Sequence, residues 1–150
     1  MNKYPVTIDH DEWFFAHAYR IAIMNQDSLM TKKIEKDYLA YMEQILLYFE
    51  TLAKKVFDRN INQILLLHNN QLNAICINEL IKLFKSHNYK FITLDEALKD
   101  TVYQTPICSY TSRGISWIER WAQTKNIPND YFKDVPSVPE YITSYIENKK

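Results

Sequence analysis

The chain has 150 residues, 47% of them hydrophobic, enough for one ordinary domain with a core. Lys and Arg number 18, as do Asp and Glu, so the formal charge is zero and no electrostatic footprint favours nucleic acid or an anionic membrane surface. Cys76 and Cys108 lie far apart without CxxC spacing, against a zinc site or a dense disulfide framework, and Gly114 is the single glycine, which excludes glycine-rich nucleotide loops.

In chain order, Tyr4 to Ile8 reads as a strand with no earlier element to pair with, a start that hints at truncation. Asp9 and Asp11 can cap a helix beginning near Glu12, with Trp13, His17, Ala18, Ile21 and Met24 as its apolar face and an end near Asn25. Asp27 or Ser28 can open a long helix to about Asp58, in which Ile34, Tyr38, Tyr41, Ile45, Tyr48, Leu52 and Val56 recur every three or four residues. The run from Ile64 to Leu67 lacks polar alternation and predicts a strand buried on both faces, with His68 at its C-terminal end. Asn70 or Asn73 can cap a third helix carrying Ile77, Leu80, Ile81 and Phe84, and Asn88 stands where a left-handed C-cap is wanted. Lys90 to Leu94 reads as another short strand. Thr93 to Glu96 matches a capping box, and Thr111 or Ser112 can open a later helix containing Trp117 and Trp121.

The order βααβαβαα predicts an α/β fold in which about three parallel strands form a partial barrel, with the long helix across its outside. The whole of 1–150 is expected to be one domain, with 134–150 as a tail ordered where Tyr141, Tyr145 and Ile146 find apolar partners. So few strands leave an unpaired edge, for which a partner segment or self-association is expected. No stretch of about 18 apolar residues predicts a membrane span, and no signal peptide opens the chain.

The four histidines, His10, His17, His68 and His87, contain no HxxxH or HExxH pair that would set two imidazoles on one helical face. Asp9, His10 and Asp11 sit where helix capping explains them. His68 has an open reading: a loop hydrogen bond, or an acid or base at the end of a strand, where α/β barrels gather their side chains.

Four ordered segments carry a resemblance. Gln63 to Ala74 (QILLLHNNQLNA), Thr7 to Phe15 (TIDHDEWFF), Tyr89 to Leu98 (YKFITLDEAL) and Gly114 to Trp121 (GISWIERW) resemble segments of the polysaccharide deacetylase (NodB-homology) family, in the same order and over roughly Pro5 to Lys125. The resemblance implies hydrolytic removal of acyl groups from amino sugars in carbohydrate metabolism, with a divalent metal, commonly zinc, activating water. It implies that Leu66-Leu67-His68 is the family's LxH motif, His68 serving as general acid for the leaving amine and Leu66 lining the acyl pocket. Asp9, Glu12 and Trp13 would border or orient that pocket, with Asn70 beside them. Glu12 departs from the aspartate of the family pattern, and its extra methylene moves the carboxylate by about an ångström.

The family's TFDD, HxxxH and RxP-type motifs do not occur in this sequence. The resemblance is therefore to the C-terminal half of the family's barrel. No cofactor is expected in the chain alone, and zinc only with a separate N-terminal half. A carbohydrate substrate is expected with that half, whereas no nucleic acid and no membrane span are expected. Full-length relatives are often exported. The competing expectations are a non-catalytic remnant or helical interaction module, and a small helical binding protein unrelated to the family.

Overall fold

The computed structural model describes residues 5–107 and 115–148. Its α-helices are α1 (Glu12–Met24), α2 (Ser28–Phe57), α3 (Gln71–Ser86), α4 (Leu94–Ala97), α5 (Trp117–Thr124) and α6 (Glu140–Glu147), with 3-10 turns at Thr101–Gln104 and Asn129–Asp134. Helix accounts for 64% of the described residues and strand for 1%. This overturns the expected partial α/β barrel: among the described residues no sheet forms, and the only strand pairing is a single parallel bridge between Ile8 and Leu65.

The physical reason lies in where each element finds its hydrogen bonds. A helix satisfies its backbone within itself, whereas a parallel strand needs a neighbour on each side and cover on both faces. The Ile64 carbonyl accepts from the Thr7 and Ile8 amides at 2.9 and 3.0 Å, and the Leu66 amide donates to the Ile8 carbonyl at 3.1 Å. There the pairing stops. The side chains of residues 64–67 are half-exposed instead of buried on both faces. The expected strand from Lys90 to Leu94 is irregular chain leading into α4, with Phe91 57% exposed.

The chain divides into two units, one of Met1–Asp9, Ile45–Leu66 and Phe91–Val135, the other of His10–Gln44, Leu67–Lys90 and Pro136–Lys150. In the second, Phe15, Ala18, Tyr19 and Ala22 are the buried apolar face of α1, which packs against α3 and α6. The expected face is one step off: Ala18 is inside, while Trp13, His17 and Met24 are exposed. Residues 28–44 of α2 bury Ile34, Tyr38, Tyr41 and Met42 here. Asp27 begins the helix by accepting the Met30 amide on Oδ1 at 3.0 Å. On α3, Leu72, Cys76, Leu80 and Phe84 are buried, while Ile77 is exposed. Asn88 closes that helix at φ 64°, a left-handed conformation that asparagine tolerates. The expected tail contains α6, held by buried Ile142 and Ile146 and by a hydrogen bond from Tyr141 to Asp37 at 2.8 Å.

In the first unit, Ile45, Leu46, Phe49, Leu52, Ala53 and Val56 of α2 are buried, as are Ile118, Trp121 and Ala122 of α5. Capping boxes start α4 at Thr93, with Glu96, and α5 at Ser116, with Glu119. The start expected for the latter at Thr111 or Ser112 lies outside the described residues, as does Cys108.

Candidate functional site

The site is built where the chain turns from the apolar run into α3, facing the first residue of α1. Glu12 is 0% exposed, an unusual position for a carboxylate. Its burial follows from its place at the head of the buried face of α1, and it is tolerated because donors converge on it. His68 donates its backbone N–H to Glu12 Oε1 at 3.2 Å, and its Nδ1 lies 2.7 Å from the same oxygen. Asn70 Nδ2 donates to Oε2 at 3.1 Å.

The orientation of the Asn70 amide is set by its other end. Asn70 Oδ1 accepts the Asn73 amide at 2.9 Å as the N-cap of α3, so Nδ2 is the atom left for Glu12. When Glu12 is ionised it is acceptor-only, and the hydrogen between Nδ1 and Oε1 then belongs to the imidazole. This commits Nδ1 and leaves Nε2 as the working atom of a ring that is 56% exposed. A carboxylate behind a histidine whose ring is half in solvent is an arrangement suited to moving a proton.

Asn73, 6% exposed, supports this arrangement from below. Its Nδ2 donates to the His68 carbonyl at 2.8 Å, and its Oδ1 accepts from the Tyr38 hydroxyl at 2.5 Å. Burial, followed by the Glu12 charge and the neighbouring Cys76 and Tyr41, pushes the Tyr38 hydroxyl far above the ordinary tyrosine range, so it remains a donor. On the approach to α1, the Asp11 amide donates to Tyr41 Oη at 3.1 Å and the Glu12 amide to His10 Nδ1 at 3.3 Å. Asp11 makes no side-chain cap.

The structure thus brings together His68, Glu12 and Asn70. Trp13, next along α1, is 49% exposed and stacks on Phe14 with ring centroids 3.6 Å apart. Asp9 and Leu66 fall in the other unit. There Leu66 is half-exposed and extends the pairing with Ile8, and Asp9 adds its charge to the upward push on Glu119, which burial dominates and the Ser116 hydrogen bonds oppose. Sequence reasoning missed Tyr38 as a polar participant, although a tyrosine on an apolar helix face carries a hydroxyl that must find a partner. Asn73 was legible only as a rival cap.

Among the described residues, no group of three or more His, Cys, Asp or Glu side chains is placed to hold a metal ion. Among the same residues, no helix is long and apolar enough to cross a membrane. Comparison with known proteins leaves the geometry to speak alone: no family model, curated protein or solved structure matches the chain.

Proposed function

We propose that this chain carries the proton-donating part of a polysaccharide deacetylase-like hydrolase, acting on acylated amino sugars with His68 as general acid. The observation that supports it is the buried Glu12 carboxylate on Nδ1 of a His68 ring that is 56% exposed. In the acid role Nδ1–H stays on Glu12, and the proton on Nε2 passes to the departing nitrogen of the sugar. Asn70 holds the carboxylate from its other oxygen. Exposed Trp13 offers an apolar ring one residue along α1 from Glu12. No step of water activation is assigned to this chain. The reading requires a separate polypeptide bearing TFDD and HxxxH segments, and the chain by itself is expected to be inactive.

A second reading, a non-catalytic helical interaction module, is favoured by a different observation. Met24 and Leu29, either side of the turn between α1 and α2, are among the most exposed large apolar side chains. This reading expects association with a protein partner or with a second copy, and no turnover.

The deciding experiment measures deacetylation of an acetylated chito-oligosaccharide with zinc present, using the purified chain with and without a co-expressed polypeptide carrying those two motifs. Activity only in the mixture, lost in His68→Ala, is the expected result. A folded mixture without activity overturns the hydrolase reading in favour of the interaction module.

A further inference from the structure

An imidazole that is half in solvent is not oriented by packing, so whatever sets the direction of His68 Nε2 must act through hydrogen bonds. Glu12 holds one end of the residue, through the backbone N–H and Nδ1. The opposite end, the carbonyl, is held by Asn73 Nδ2 at 2.8 Å. Asn73 cannot rotate to serve another acceptor without abandoning Tyr38, whose hydroxyl meets its Oδ1 at 2.5 Å from α2, 35 residues away in sequence. The Asn73 backbone N–H is engaged as well, by Asn70 Oδ1.

We propose that Tyr38 and Asn73 form a positioning pair for His68, pinning its carbonyl from α2 so that Nδ1 stays on Glu12 and Nε2 is presented outward. The residue types follow from the task. Position 73 must donate to a carbonyl and accept from a hydroxyl at once, which a carboxamide does and neither a carboxylate nor an alkyl side chain can. Position 38 must be a rigid donor that reaches from a buried helix face, which a tyrosine locked in the core provides. The pair acts on the presentation of His68 whatever substrate meets it, so its failure and that of the hydrolase reading are separate events with separate readouts.

The test reads the neutral His68 ring directly. Nitrogen chemical shifts recorded at about pH 8 give the ratio of Nδ1–H to Nε2–H tautomers, a quantity set by the hydrogen bond at the other nitrogen. In the unaltered chain the Nδ1–H form is expected to dominate. Asn73→Ala should cut the ratio about fivefold, the loss of one ordinary hydrogen bond's worth of bias, and Tyr38→Phe about twofold. Leu80→Ala, which opens a cavity in the core beneath α3, should lower the melting temperature and leave the ratio where it was. If Asn73→Ala does not fold, Tyr38→Phe decides the matter, because it removes a single oxygen. An unchanged ratio in Tyr38→Phe, or an equal fall in Leu80→Ala, overturns the proposal and leaves the pair with a purely structural role.

Discussion

Glu12 and Asp100 are both carboxylates gripped by several donors, one in each unit, and their differences separate a reactive arrangement from a structural one. Asp100 takes the Arg59 guanidinium, the Asn62 amide at 3.0 Å and the Val102 amide at 3.1 Å, and Arg59 donates further to the Asn60 carbonyl and the Thr101 hydroxyl. The Arg59 hydrogen bond, against the opposing effect of burial and with help from the two amides, pulls its carboxyl down to about 2. Its partners are a guanidinium and two backbone amides, none of which gives up a proton near neutral pH. Glu12 also receives several donors, but one of them is a histidine ring, 56% exposed, that carries a second nitrogen besides the one on Glu12. A carboxylate becomes part of a candidate site when its partner has a further atom to offer.

Breaking the comparison calls for a reference from ordinary packing. Trp121, fully buried in the unit that contains Asp100, is expected to cost about 4 kcal/mol when replaced by Ala, read from chemical denaturation. Glu12→Ala should come next, at about 3 kcal/mol by the same measurement, because it strands the Asn70 amide and the His68 backbone N–H in a buried space. A cost near zero would mean that the donors around Glu12 find water easily, and the contrast with Asp100 would collapse.

Asp100→Ala is expected to cost about 1–2 kcal/mol at neutral pH, since it removes the cap of the 3-10 turn and the partner of Arg59. Its pH dependence sharpens the comparison. A carboxyl depressed in the folded state contributes stability that is fully present above its unfolded value of about 4 and is lost as the pH falls toward about 2. The gap between the parent and the variant in acid unfolding curves should therefore close over that window. At the small end, Lys54→Ala removes an exposed ion pair with Glu50 one turn away, 2.7 Å long, and should change stability by less than about 0.5 kcal/mol.

Much of the helical architecture was legible because its signals are local. The period of Ile34, Tyr38, Tyr41, Ile45, Tyr48, Leu52 and Val56 marks the face that α2 buries, with Tyr48 half-buried and the rest buried. Thr93 and Glu96 form the capping box that their spacing implies, and Asn88 takes the left-handed conformation expected of it. The buried face of α1 differs from the expected one because the donors around residues 68–70 hold the Glu12 carboxylate inside, while Trp13, expected on that face, is left out. The strands failed for a non-local reason. Ile64 to Leu67 and Lys90 to Leu94 carry apolar residues suited to a sheet, but a ladder depends on what lies alongside, and among the described residues only Ile8 pairs with Leu65.

Within the candidate site, the sequence by itself determined which residue types were available: a histidine after an apolar run, an acid at the head of a helix, and asparagines at the start of the next. It determined the ends of α2 and α3 and the period of α2, because those depend on neighbours within a turn or two. Only the tertiary structure decided that Glu12 lies beneath His68, 56 residues away, and that Tyr38 on α2 reaches Asn73. It alone decided that the predicted strands would not join into a sheet. Both outcomes turn on burial and on partners distant in the chain, and the satisfaction of a polar group or of a strand edge is a property of what surrounds it rather than of the residue that carries it.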